Sequence, residues 1–324
     1  MFDVNFIEDE LDKVEQQFDI YFKSGTPLIK QVAKYVVSSG GKRIRPILVI
    51  LSSKLCGYNG NGYIPLAAII EFIHTATLLH DDVIDSAPLR RGIKSANMVF
   101  GNKASVLVGD YLFAKSFEIL SKMNNFRIIS AFAAATTLMA EGEIKELVQT
   151  ANIATTEDEY INIIIKKTAV LFACAAQIGA IISDKPDKND GMEQNLYDYG
   201  LNIGIAFQLM DDALDYTSKN KKFGKFIGND LKEGKITMPL IYTLKNCSKK
   251  ENKNIAQIIL KKKINKMDLE DVLKLINKYN SLNYTVETAR KKIKKAKSNL
   301  KGFNDSAAKT SLMELADYVI ERKL

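Results

Sequence analysis

Apolar residues recur at helical spacing along almost the whole chain. The stretch "FIEDELDKVEQQFDIYF", Phe6 to Phe22, carries an apolar stripe broken by charge, the pattern of an amphipathic surface helix. Pro65 stands where a first helical turn would begin, and "LAAIIEFIHTATLLHDDVID" then runs towards Pro88, which would end it. Further helices are predicted over residues 104–123, 127–149, 157–182 and 192–216. Several are apolar on nearly all sides, which marks the central members of a large bundle. Beyond residue 236 the pattern shifts to shorter, lysine-rich amphipathic helices. Alternating strand patterns bounded by turn residues are scarce, and no repeat of fixed period is visible. The clearest loop is Thr217 to Lys235, polar and glycine-bearing. The expectation is one all-α domain, residues 1–324, without an internal boundary.

Composition narrows the function classes. Hydrophobic residues make up 46% of the chain and charged ones 26%, as in an ordinary globular domain. The uncharged run Thr168 to Ser183 is short for a membrane span and rich in alanine, so it reads as a buried helix. The acidic, amphipathic start is unlike a secretory leader, and Cys56, Cys174 and Cys247 show no paired spacing. A cytoplasmic enzyme is expected. The net charge of +8 raises the question of nucleic acid, but lysine outnumbers arginine 39 to 7 and no base-reading motif accompanies it. Four of the seven arginines fall in just two places, "GGKRIRP" and "PLRRG", where the guanidinium fork suits an anionic ligand.

Asp81, Asp82 and Asp85 stand at i, i+1 and i+4 at the end of an apolar helix. Asp81 and Asp85 therefore share one face, at the helix end whose dipole disfavours negative charge. Asp211, Asp212 and Asp215 repeat the pattern 130 residues later, again before a polar loop. Two such ends facing each other would be unstable without hard cations, and Mg²⁺ typically takes one or two carboxylates plus substrate phosphates. Cationic residues gather in the same regions: Lys42 and Arg45, read as sharing a helical face behind Gly40 and Gly41; Arg90 and Arg91; Lys167 beside Thr168; Lys225 and Lys235. So many separate cations point to two diphosphate sites, one bridged by metal and one held by Arg and Lys directly. His74 and His80, the only histidines, differ by about 240° around a helix and cannot act as a pair. Either could serve as a neutral hydrogen-bonding group near a phosphate.

The ordered set "GGKRIRP", "LLHDDVIDSAPLRRG", "KKTA", "FQLMDDALDY", "FGK" and "EGK" resembles the trans-polyprenyl diphosphate synthases, from about residue 20 to 240, and most of all their bacterial long-chain octaprenyl group. The resemblance implies an isoprenoid synthase fold, a homodimer, and aspartate motifs facing across a central cavity. It implies several Mg²⁺ ions, three by expectation, on Asp81, Asp85 and Asp211 with Asp82 and Asp215 in support. Arg90, Lys167, Thr168, Gln208, Lys225 and Lys235 would hold the allylic diphosphate, and Lys42, Arg45, His74 and Arg91 isopentenyl diphosphate. Ala76 and Thr77, five and four places before the first aspartate, are small where short-product members carry bulky aromatics. A long all-trans product follows, octaprenyl by expectation although seven, eight or nine units all fit, built from farnesyl or geranylgeranyl diphosphate for a ubiquinone or menaquinone side chain, with peripheral contact at a membrane for its release. Phe132 is a candidate floor of the cavity.

Three alternatives compete. A class I terpene cyclase usually has an Asn/Ser/Glu-type second metal motif, a non-catalytic partner subunit usually lacks the aspartates, and a His-Asp phosphohydrolase needs more histidines than two.

Overall fold

In the computed structural model, residues 5–23, 25–183, 191–217, 228–261 and 264–321 are described. The helices run in the order α1 (Glu8–Tyr21), α2 (Pro27–Ser38), α3 (Ile44–Leu55), α4 (Tyr63–Ile84), α5 (Ala96–Phe100), α6 (Asn102–Ser121), α7 (Phe126–Gln149), α8 (Glu157–Ile164), α9 (Val170–Ile182) and α10 (Met192–Thr217). The short α11 (Asn229–Lys232), α12 (Met238–Asn246), α13 (Lys249–Ile259), α14 (Lys266–Lys278), α15 (Ser281–Asn299) and α16 (Ala307–Glu321) complete it. The helical pattern in the sequence is thus realised, with the long loop shortened by α11. Lys225 lies outside the described residues.

The core belongs to the helices that read as apolar on all sides. α10 packs along α9 and α15, α3 along α9, and α4 along α6. Most of α4 and α9 is buried, so two segments, Tyr63–Ile84 and Glu157–Ile182, are long and apolar enough to cross a membrane yet lie mostly inside the protein. α8 begins at a reciprocal cap, with Thr156 accepting from the Glu159 amide and Glu159 accepting from the Thr156 amide.

Two local departures position side chains. Between α8 and α9 the helix widens into a π turn, Ile165–Ala169, which carries Lys167 and Thr168. Such bulges concentrate at functional sites because they re-aim side chains. Gly142 of α7 packs directly on the backbone of Lys166 and Lys167, where any side chain would clash. The second departure is a hairpin that periodicity did not reveal, β1 (Leu89–Arg90) against β2 (Ile93–Lys94). Its two-residue turn is Arg91-Gly92, both with positive φ (51° and 83°), as a type I′ turn requires.

Candidate active site

Both aspartate triplets have the same construction. Asp82 is 1% exposed and Asp212 2%, so the middle carboxylate of each triplet is turned into the core. Asp81, Asp85, Asp211 and Asp215 are only half-buried. Asp82 was expected to support a metal; instead, both its oxygens are taken by Arg90, whose Nε donates at 2.8 and 2.9 Å and whose Nη2 lies at 2.7 Å. The hairpin makes this possible, because it folds Arg90 back onto the end of α4. Arg90 therefore reaches the triplet, although its bonds go to a carboxylate.

Asp212 has neutral partners. It accepts from the Tyr160 hydroxyl and, at 2.9 Å, from Gln208 Nε2. Gln208 Oε1 in turn accepts from the Thr168 hydroxyl at 3.0 Å. Burial pushes the Asp212 carboxyl up to about 7, and the two hydrogen bonds oppose that rise. Asp215 accepts from the Asp230 amide at 3.1 Å, which ties the end of α10 to α11.

The loop after the second triplet reaches the first through lysine. Lys235 Nζ donates to Asp85 at 3.0 Å, sits 2.8 Å from Glu233, and lies 3.9 Å from Glu146. Lys167 bridges Glu143 at 2.8 Å and Glu146 at 2.5 Å. Burial works against the charge of both lysines, but Glu146 and the neighbouring carboxylates hold each well above its ordinary value. Asp81 is pushed up to about 7 by burial, with Glu143 and Asp85 adding to the rise and Lys167 and Arg90 opposing it. Glu143 and Glu146 escaped the sequence reading because "EGEIKELVQ" looks like a solvated helix face.

A second, cationic cluster lies beside the first. The His74 imidazole is held well below its ordinary value by burial and by the charges of Arg45, Arg91, Arg90 and Arg43 around it. Arg45 stacks 4.4 Å over Phe172, and its buried Nε has no hydrogen-bond partner. Burial lowers this guanidinium to about 10. An orphaned buried donor in a ring of cations is a seat for an anion. Arg91 lies across Gly41, where an added Cβ would come within 3.1 Å of Nη1. Arg43, which was not singled out, is fixed by Glu15 at 2.7 Å and Glu71 at 2.8 Å. Glu71, the lone acid inside the apolar "AAIIEFIH", thus anchors the cluster. Lys42 was expected on a helical face with Arg45; α3 begins only at Ile44, and Lys42 precedes it with Nζ 4.7 Å over the Tyr318 ring. His80 points elsewhere, with Nε2 3.2 Å from the Val106 carbonyl and 3.4 Å from Asp110.

Ala76 is fully buried, and the Thr77 hydroxyl donates to the His74 carbonyl at 2.8 Å. Phe132 is also fully buried. A hollow of about 470 Å³ lies between α7, α9 and the start of α10, lined by Ala131, Ala134, Ala135, Leu138, Val170 and Cys174 among others. It runs from Leu138 to Phe126, about 18 Å along α7. Val170 at its upper end follows Lys167 by three residues. Its far end is crossed by Arg127 paired with Glu193, which also accepts from Gln177 at 2.9 Å. Ala76 and Thr77 do not line it.

Among the described residues, no three His, Cys, Asp or Glu side chains converge on one point as a closed metal cage. The donors suit a different arrangement: oxygen-only carboxylates, few on each side, with a lysine ammonium lying on Asp85. That is the donor set for a hard cation whose remaining ligands come from a phosphate compound.

The polyprenyl synthetase family matches residues 26–276, further than the resemblance in the sequence had reached. This chain belongs to that family. It is 37% identical over 313 residues to the octaprenyl diphosphate synthase of Haemophilus influenzae, covering 97% of this chain and 94% of that one. The crystal structure of a decaprenyl diphosphate synthase from Rhodobacter capsulatus superposes with a TM-score of 0.93 at 40% identity, covering 98% of this chain and 97% of the other. A polyprenyl synthase from Caulobacter crescentus, complexed with calcium and isoprenyl diphosphate, gives 0.93 at 36% identity over 99% and 97%. The polyprenyl synthetase is therefore an isoprenoid-synthase-fold enzyme, a trans-prenyltransferase making long-chain polyprenyl diphosphates.

Proposed function

We propose that this polyprenyl synthetase extends farnesyl diphosphate with isopentenyl diphosphate to an all-trans octaprenyl diphosphate, in the cytoplasm, for a ubiquinone side chain. The observation that carries the reading is the Lys235–Asp85 contact, which joins the loop after the second aspartate triplet to the first. The octaprenyl relative supports the length, and the hollow beneath Lys167 supports room for a long tail.

In this reading Asp81 and Asp85 on one side, and Asp211 and Asp215 on the other, would hold three Mg²⁺ ions together with the allylic diphosphate. The calcium in the Caulobacter crescentus complex supports a divalent ion in such a site. When bound, the ions neutralise the charge that develops on the departing diphosphate. Lys167, Lys225 and Lys235, with Thr168 and Gln208, bind the same diphosphate and stabilise that charge from the protein side. Lys42, Arg45, His74 and Arg91 hold isopentenyl diphosphate so that its double bond lies beside the allylic carbon, replacing an encounter by fixed geometry. His74, kept neutral by burial and by its arginines, offers a hydrogen bond without adding charge. The apolar walls keep water from the allylic cation.

A homodimer completes the proposal. Phe126, Ile144, Leu147 and Val148 form one stripe along α7 and are 62–83% exposed, which suits a second copy of the chain. Sedimentation as a monomer at micromolar concentration would refute it. Release of so apolar a tail calls for contact with a membrane surface. The function is tested by incubating the purified chain with farnesyl diphosphate, isopentenyl diphosphate and Mg²⁺ and sizing the lipid by chromatography. A C40 product supports the proposal; a cyclised hydrocarbon or no condensation refutes it.

A further inference from the structure

Each triplet buries its middle aspartate, but the two are secured differently. Asp82 is matched by the full charge of Arg90. Asp212 receives only neutral donors, and the hydroxyl of Tyr160 on α8 is the one that comes from outside α10. Tyr160 is itself buried, and sits seven residues before Lys167 in the helix that the π turn interrupts. From its hydroxyl a single string of hydrogen bonds passes to Asp212, to Gln208 and to Thr168. The direction of that string is fixed. Asp212 accepts from Gln208 Nε2, so the other end of the amide, Oε1, must face the Thr168 hydroxyl. Two elements that hold the allylic diphosphate in the proposed reading, the π turn and α10, are thereby pinned together with α8 to one buried carboxylate.

We propose that Tyr160 is a positioning residue for the allylic diphosphate subsite, acting through Asp212 to fix Gln208 and Thr168 and to set the rotation at which α10 presents Asp211 and Asp215. The proposal rests on the function proposed above. Without the hydroxyl, Asp212 loses its anchor on α8 and can turn together with the Gln208 amide that it orients. The isopentenyl cluster around His74 shares none of these bonds, so the effect is confined to one substrate.

The test is Tyr160→Phe, which keeps the ring that fills the core and removes only the hydroxyl. Binding of inorganic diphosphate in the presence of Mg²⁺, measured by calorimetry, is expected to weaken about tenfold, as for other residues that orient ligands from behind. KM for the allylic diphosphate should rise by a similar factor while KM for isopentenyl diphosphate stays unchanged. In an Asp212→Asn background, Tyr160→Phe should add nothing further. Unaltered diphosphate binding, or an equal rise in both KM values with a lowered melting temperature, overturns the proposal. A wild-type chain that binds no diphosphate would instead overturn the function on which it rests.

Discussion

Lys235 donates to Asp85 at 3.0 Å across 150 residues of sequence, and Glu146 stands 3.9 Å from the same ammonium. In this way one lysine closes the gap between the acidic ends of two helices. Lys235→Ala removes a charge aimed at the departing diphosphate and leaves half-buried carboxylates facing one another. The account predicts a fall in kcat/KM for the allylic substrate of about a hundredfold. Steady-state kinetics with both substrates varied would check it; a change below twofold would exclude Lys235 from the diphosphate site.

The Asp82–Arg90 pair predicts a stability effect. Asp82 is 1% exposed, and its two oxygens bond only to Arg90 among the hydrogen bonds described. Removing one partner of a buried pair commonly costs about 3–5 kcal/mol. Because the Arg90 side chain is 25% exposed, the lower end, about 3 kcal/mol, is expected for Arg90→Met. Replacing both residues, as Arg90→Met with Asp82→Leu, should restore part of the loss. Denaturant midpoints of the three variants decide the matter, and an unshifted Arg90→Met midpoint would contradict a structural role for the pair.

Both aspartate triplets were legible as candidate chemistry, but their inner division was overlooked although the sequence carries it. Ala76, Leu79 and Asp82 continue one buried stripe of α4 at three-residue steps, and Ile205, Leu209, Asp212 and Tyr216 form another in α10 at steps of four, three and four. The middle aspartates therefore follow the core. Glu71 could likewise be read from its place in an apolar run. The Tyr160–Asp212 bond could not, because periodicity along one helix says nothing of which neighbour it meets. The hairpin at Leu89–Lys94 was hidden because strands of two residues leave no alternating pattern.

His74 gives a pH dependence. Burial and four arginines lower its basicity in the folded state, whereas the unfolded chain titrates near the ordinary imidazole value of 6.5. The unfolded state therefore binds more protons below that value, so this contribution to stability is full above pH 6.5 and is lost as pH falls towards the folded-state value. Thermal melts between pH 7.5 and about 5 should show wild type losing more stability than His74→Gln. Parallel curves for the two would refute the assignment.

Product length should answer to the hollow beneath Lys167. Ala134 lines it from α7, so Ala134→Phe should fill it and shorten the lipid. Ala76 is fully buried in α4 and lies outside this hollow, so shortening by Ala76→Tyr, which the family resemblance implies, would place the tail beside α4 instead, at an overpacking cost of about 1–3 kcal/mol. Chromatographic sizing separates the outcomes. An unaltered length with Ala134→Phe would show that the growing tail runs elsewhere.

Sharing of divalent ions between the two triplets is tested most directly by Mn²⁺ binding, followed by electron paramagnetic resonance with and without inorganic diphosphate. Wild type should bind Mn²⁺ far more tightly when diphosphate is present, and Asp81→Ala and Asp211→Ala should each abolish that enhancement. Enhancement that survives in either single variant would contradict a diphosphate gripped from both sides.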